Sequence, residues 1–451
     1  MTDIRKLAKF ISGLKYADVP KNVLDTAKLL VLDTVGASLG ARDNKQNKAV
    51  LSAYLEISGD NGKISAWGTG EKLPLLSAIL INAMMGHTLE LDDVHTNSKT
   101  HIGTVVVPAA WGIAEEIGAS GEDFLLAVIC GYETMARIGM GLGVSSHRNR
   151  GWHVTCTAGT FGAAAACAKL LGLDEDKTVY ALGLAGTQSC GLWSFIGDGS
   201  SNKVLHPARA AVSGTEAAIL SRAGMTGAEH VLDADDGGLF AAMSDEFDYS
   251  LVSKGLGETY ELMFMDNKPY PCCRSTHCAI DGALALKNEY SITADDIESV
   301  EVGTYLVGNK QCGMSEGSRN PSKPTDAKFS TPFTVACSII FGEVTLRQFE
   351  QEVIGDEAVC ELVRRVRVIS EDRFTDVYPD HWGCEVRILL KDGRKIARLI
   401  RDASGSVDNP LSVEQVKSKA SALIRETCGE DTERIVAEVL GIAGAAQMPE
   451  I

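Results

Sequence analysis

The sequence predicts a mainly α-helical protein, with a large all-α domain formed by residues 1–266 and 403–451 and a smaller α+β domain inserted at 267–402. Three observations lead there. Apolar residues recur at helical spacing through the first 250 residues, with no convincing strand pattern among them. Alternating apolar and polar residues then appear at 297–305, 366–370 and 384–390. At 451 residues the chain also exceeds what one hydrophobic core usually holds, so two domains are expected.

Taken in order, Ile4 to Leu14 is amphipathic and residues 16–20 break it. Pro20 starts a long helix from Val23 to Leu39, in which Gly36 and Gly40 indicate close packing or a C-cap. Lys45 to Ile57 is a further helix, and residues 65–69 are a short extended piece and a turn. Apolar helices follow over 73–85, 105–118 and 121–143. Thr155 to Leu171 is almost entirely small residues, so that helix has to be packed on several sides. Leu173-Asp-Glu-Asp-Lys reads as a capped start for a helix over 178–187, and Pro207 to Ala223 is another small-residue helix. In the smaller domain, Lys391-Asp-Gly-Arg is a hairpin turn joining the 384–390 strand to a return strand over 395–401. Helices at 276–290 and 329–341 lie between the strands. Helices at 411–428 and 432–440 pack back on the first domain, and residues 444–451 read as frayed.

The composition, 45% hydrophobic and 23% charged, is that of a soluble globular enzyme. There is no 18-residue uncharged apolar run, and the start Met-Thr-Asp-Ile-Arg-Lys lacks a signal-peptide core. A cytoplasmic protein without membrane contact is the expectation. A net charge of −17 argues against nucleic acid, which needs a basic face. It leaves room for a small anion, because local cations in a cleft decide that. The 12 cysteines are scattered without a CxxC pair, which points to reduced core thiols.

The densest chemistry lies in residues 86–103, which place His87, Glu90, Asp92, Asp93, His95, Lys99 and His101 between two apolar helical runs. Ionisable groups there are costly unless paired or used. Adjacent carboxylates seldom face the same way, so one of Asp92 and Asp93 orients a histidine while the other caps. The histidine spacing is weak for a metal, and acid–base use is the better reading. His153 stands at the start of the small-residue helix, where the helix dipole favours a neutral imidazole base. Lys203 and His206 end a glycine-rich loop before another buried helix. Around the domain boundary, Lys268-Pro-Tyr-Pro-Cys-Cys-Arg274-Ser-Thr-His277 carries two prolines that stiffen the segment. Lys268 supplies a point charge and Arg274 a bidentate fork, a sensible pair for a di- or tricarboxylate.

Five ordered blocks resemble the MmgE/PrpD family, which includes 2-methylcitrate dehydratases, cis-aconitate decarboxylases and iminodisuccinate epimerases. They are Gly-His-Thr-Leu-Glu-Leu-Asp-Asp with the later Thr-His-Ile-Gly, Gly-Trp-His-Val-Thr, Asn-Lys-Val-Leu-His-Pro-Ala-Arg-Ala-Ala, Lys-Pro-Tyr-Pro-Cys-Cys-Arg-Ser-Thr-His, and Asp-Ala-Lys-Phe-Ser-Thr-Pro-Phe. The resemblance implies an all-α domain with an inserted α+β lid, a site in the cleft between them, a homodimer, and no required cofactor or metal. Matched by position, the family's site falls on Asp93, Thr96, His101, His153, Lys203 and Lys268, with Asp92 as the alternative to Asp93. His101 and His153 are then the proton carriers, Asp93 orients a histidine, and Lys203, Lys268 and Arg274 hold carboxylates and developing enolate charge. Asp92, Thr96, Arg274 and His277 complete the substrate contacts, while His87, Glu90 and His95 support. Phe333 stands near a position where some decarboxylases carry tyrosine, a departure that weakens that activity. The chain length and the Leu-Asp-Asp-Val-His block are closer to the decarboxylase and epimerase members, and Arg274 is closer to the epimerases. The expected activity is a cofactor-independent lyase on a small polycarboxylate. Its alternatives are an epimerase of an iminodisuccinate-like dicarboxylate and a non-catalytic carboxylate-binding homologue.

Overall fold

The computed structural model describes residues 1–58 and 62–451, and it is mostly α-helical with few strands. The small-residue stretch forms the helix Val154–Leu170, in which every residue from Val154 to Ala168 is buried. It packs most heavily against Gly121–Gly141 and Leu205–Arg222. Such close approach needs small side chains on both helices. A Cβ on Gly214 would lie 2.3 Å from the Thr160 carbonyl oxygen. Gly121–Gly141 is the one described helix long and apolar enough to cross a membrane, and 94% of that apolar window is buried inside the protein. Its charged pair Glu133–Arg137 is buried with it, and Arg137 donates to the carbonyls of Lys254 and Thr259 at 2.6 and 2.7 Å.

The long helix starting after Pro20 spans Lys21–Gly40 and lies against Val413–Cys428. Gly36 marks the contact, since a Cβ there would come within 2.9 Å of the Ala420 backbone. Gly36→Val is expected to destabilise the protein by about 1–3 kcal/mol through overpacking, read as a lower midpoint in urea. One apolar cluster runs from Ile4 to Met265 and takes in Ala420 to Ile442.

A second cluster runs from Cys272 to Ala403 around a four-stranded sheet. Its strand order is Val366–Ser370, Ile297–Thr304, Cys384–Leu390, Lys395–Ile400, the first pair parallel and the others antiparallel. Gly393, at φ 88°, makes the hairpin turn between the last two strands. The helix His277–Tyr290 covers those two strands and packs on Thr331–Phe341. The parallel pair needs a long crossover. That connection includes Leu306–Cys312 and Glu357–Arg364, short helices that the periodicity did not single out. Phe333 packs in this second core against Phe349 and does not line the main cavity, so its missing hydroxyl bears on packing rather than on chemistry.

Two expectations are corrected here. Residues 444–451 are docked rather than frayed. The Ala445 carbonyl accepts from Gly121 N–H at 2.9 Å and the Ile451 carbonyl from Gly68 N–H at 3.2 Å, while Met448 and Ile451 pack on the first core. The first 250 residues also contain short extended pairings, including Val94–His95, which bridges to Met265–Asp266. That bridge sets the geometry of the site.

Candidate active site

The residues 89–102 connect the helices Leu75–Thr88 and Gly103–Ile117 and fold into a buried turn. Glu90 begins it in the left-handed region, at φ 59°. The bridge from Val94–His95 to Met265–Asp266 then carries Lys268 against Glu90. Lys268 Nζ donates to the Glu90 carbonyl at 3.1 Å and to its Oε2 at 3.3 Å, and Lys203 Nζ donates to Oε1. All three side chains are buried. Burial alone would drive the Glu90 carboxyl toward its neutral form, but Lys203, Lys268 and His87 outweigh it and hold it far below the usual carboxylate range.

Asp92 and Asp93 face opposite ways. Asp92 Oδ2 lies 2.7 Å from His87 Nδ1 and 2.9 Å from His101 Nδ1. Against full burial, His87, His101 and Lys268 keep this carboxylate ionised. A carboxylate at that position favours a proton on His101 Nδ1 and leaves the Nε2 lone pair free. Asp93 Oδ1 instead accepts from Gly103 N–H at 2.9 Å, and its Oδ2 accepts from the Tyr132 hydroxyl at 2.7 Å. Burial pushes the Asp93 carboxyl up to about 7 despite these two donors. The histidine contact expected of Asp93 therefore falls to Asp92, and Asp93 ties the start of the Gly103–Ile117 helix to Tyr132.

His153 is the N-cap of the helix Val154–Leu170. Its N–H donates to the Gly191 carbonyl at 3.0 Å, and its Nδ1 meets His206 Nδ1 at 2.8 Å, one imidazole donating and the other accepting. The His101 and His153 rings lie 6.4 Å apart, centre to centre. Burial pushes His101 down to about 3, opposed in part by Asp92. Burial, then His206 and Lys203, also push His153 well below the ordinary histidine value. Both are neutral imidazoles over the physiological range.

These groups open on a partly enclosed cavity. Glu90, His101, His153, Lys203, Lys268 and Arg274 line it. Arg274 Nε also donates to Asp266 Oδ2 at 2.9 Å. Four expected residues, Asp92, Asp93, Thr96 and His277, do not line the cavity. Asp93 is placed as described, and Thr96 Oγ1 donates to Asp266 Oδ1 at 2.6 Å. His277 is fully buried, its Nε2 is 3.3 Å from the Cys272 carbonyl oxygen, and its ring is edge-on to Tyr270.

The fold also adds residues that spacing did not promote. Glu90, expected only to support, is the anion both lysines share. His206, noted in the sequence beside Lys203, is the partner of His153. His147, Arg148 and Trp193 line the cavity without having drawn attention in the sequence. Candidate ligand atoms of His87, Asp92 and His101 come within 4.8 Å of one another. Loop spacing alone did not suggest that group, because His87 belongs to the preceding helix. Asp92 Oδ2 is already hydrogen-bonded to His87 Nδ1 at 2.7 Å, and a proton there competes with metal ligation at the same atoms.

Two family models match the chain. The MmgE/PrpD N-terminal domain covers residues 5–252, and the MmgE/PrpD C-terminal domain covers residues 270–441. The chain is 27% identical over 466 residues to the cis-aconitate decarboxylase-like protein oryM of Aspergillus oryzae, covering 99% of this chain and 95% of that protein. Human cis-aconitate decarboxylase is 27% identical over 445 residues, 94% of this chain and 88% of that protein. The 2-methylcitrate dehydratase of Escherichia coli is 23% identical over 389 residues, 81% and 77% of the two chains.

Proposed function

The chain belongs to the MmgE/PrpD family, and from that premise we propose that it is a lyase acting on a small di- or tricarboxylate by proton transfer at a carbon next to a carboxylate. The observation that carries this reading is one cavity lined by two neutral imidazoles, His101 and His153, and two ammonium groups, Lys203 and Lys268. The 267–402 segment acts as a lid that contributes Lys268 and Arg274 to the cavity wall.

A C–H bond beside a carboxylate is a weak acid, so its removal needs a neutral base and a cationic field for the enolate charge. His101 fits the first need, because Asp92 favours a proton at Nδ1 and leaves Nε2 to accept one. Lys203 and Lys268 fit the second. Their charge is only partly neutralised by the single carboxylate they share, so each ammonium has remaining N–H capacity for a substrate oxygen. In a dehydration the proton that His101 takes from carbon is passed by way of His153 to the departing hydroxide, so that one water leaves and both imidazoles end neutral. In a decarboxylation the C–C bond electrons pass to the substrate carbon as CO2 leaves, and a histidine relays a proton from solvent to that carbon.

Two histidines on separate chain segments also suit two-base epimerisation, which is the second reading. The discriminating experiment is incubation with cis-aconitate, citrate, 2-methylcitrate or iminodisuccinate in D2O, followed by NMR. Loss of water or CO2 is the expected result. Deuterium entering an α-carbon without net product supports the epimerase, and no turnover or exchange with any of the four overturns both.

A further inference from the structure

One wall of the cavity has nitrogen donors that the protein itself does not satisfy. His147 is fully buried and lines the cavity, yet neither ring nitrogen has a hydrogen-bond partner among the described residues. Its neighbour Arg148 also lines the cavity, and its buried Nε is likewise unpartnered. Trp193 Nε1, on the same wall, is a third such donor. Buried polar groups are nearly always paired, so three together call for an explanation.

The distribution of charge indicates what is missing. The other cavity cations have acidic or carbonyl partners: Lys203 and Lys268 share Glu90, Arg274 meets Asp266, and Lys99 donates to the carbonyls of Thr96 and Pro379. Arg148 has no ion pair or hydrogen-bond acceptor among the described residues. Its guanidinium rests on the Trp193 ring, 4.3 Å from the ring centre. The ionisable groups that face it are the phenol of Tyr378 and the thiol of Cys273, neither of which is a carboxylate. The Trp193 ring is in turn 4.8 Å from the His153 ring, within the reach of a short carbon chain.

We propose that His147, Arg148 and Trp193 form a subsite for a second, non-reacting carboxylate of the substrate, held by the guanidinium fork while the reacting carbon lies at His101 and His153. The inference rests on the polycarboxylate reading above and narrows it. The preferred substrate carries a carboxylate at the far end of its chain from the carbon that exchanges its proton, and a monocarboxylate is a poor ligand. No bond is made or broken at this subsite. Its role is to orient and select.

The test uses the full-length protein, wild type and the variants Arg148→Gln, Arg148→Lys and Trp193→Phe. Calorimetric titration with tricarballylate and with propionate is combined with steady-state kinetics on whichever acid the wild type turns over. Arg148→Gln is expected to weaken tricarballylate binding by at least tenfold and to raise KM far more than it lowers kcat. Propionate binding should be unaltered, and so should melting of the ligand-free protein. Arg148→Lys recovers part of the affinity, and Trp193→Phe, which keeps the ring but loses the N–H, shows a smaller loss. If Arg148→Gln binds tricarballylate as the wild type does, the unpartnered donors serve ordered water and the subsite is refuted while the lyase reading stands. If the wild type neither binds nor converts any polycarboxylate, the functional reading itself fails.

Discussion

Replacing His153 with asparagine is expected to lower kcat by roughly two to four orders of magnitude, the usual contribution of a positioned acid–base group. The choice of asparagine separates chemistry from folding. His153 holds the N-cap of a helix whose residues from Val154 to Ala168 are all buried, and asparagine is among the favoured N-cap residues. Thermal melting of the variant should therefore stay close to wild type while turnover collapses. A His153→Asn protein that turns over at the wild-type rate would remove the imidazole from the mechanism.

The same burial has a pH consequence whose sign can be worked out. His101 titrates at about 3 in the folded protein, and His153 is also pushed well below the ordinary histidine value of about 6.5 that holds in the unfolded chain. Between those limits the unfolded chain binds more protons, so stability rises with pH through this window and is lost as pH falls below about 6.5. Activity of the free enzyme should accordingly show no loss with a midpoint near 6.5, because both bases stay neutral well below it. A pH profile of kcat/KM alongside denaturation midpoints at pH 5 and pH 7.5 checks both statements. An acid limb centred near 6.5 would show that these imidazoles are more hydrated than their surroundings imply.

Much of the helical fold was legible because helical periodicity and small-residue runs report a face that has to be buried. Val154–Leu170 is the clearest example, since a helix of that composition has no polar side to expose. The short helices Leu306–Cys312 and Glu357–Arg364 were not legible, because two turns give too few repeats to define a face. Within the site, sequence blocks located the segments but could not locate atoms. Asp92 and Asp93 are neighbours in the chain, and their opposite orientations follow from the buried turn that Glu90 opens at φ 59°. Nothing in the spacing reports a left-handed glutamate. The contacts of Glu90 with Lys203 and Lys268 span 113 and 178 residues, so they exist only after distant parts of the chain have packed together. His147 and Arg148 escaped notice for the converse reason. On a short helix with no motif around them, they read as ordinary polar residues until the cavity placed them.

The shared carboxylate leads to the second large effect. Lys268→Met is expected to lower folding stability by about 3–5 kcal/mol, the range for removing one partner of a buried ion pair. Lys268 is fully buried, and its ammonium is hydrogen-bonded to the Glu90 carbonyl and carboxylate and lies 3.9 Å from Asp92 Oδ1. Without it, Glu90 retains Lys203 but loses one of the two cations that hold it ionised, and Asp92 loses part of its compensation. Methionine nearly conserves the volume, so the loss reports charge rather than a cavity. The double variant Lys268→Met/Glu90→Gln is the informative control, because it removes the stranded carboxylate along with the lysine. It should recover a large part of the lost stability while remaining inactive, since the cationic field for the enolate is halved either way. Urea denaturation of the wild type, the two single variants and the double variant closes a thermodynamic cycle. A coupling near zero would mean that Glu90 and Lys268 act independently. A double variant as active as wild type would mean that Lys268 serves the fold alone and that the substrate's negative charge is held elsewhere in the cavity.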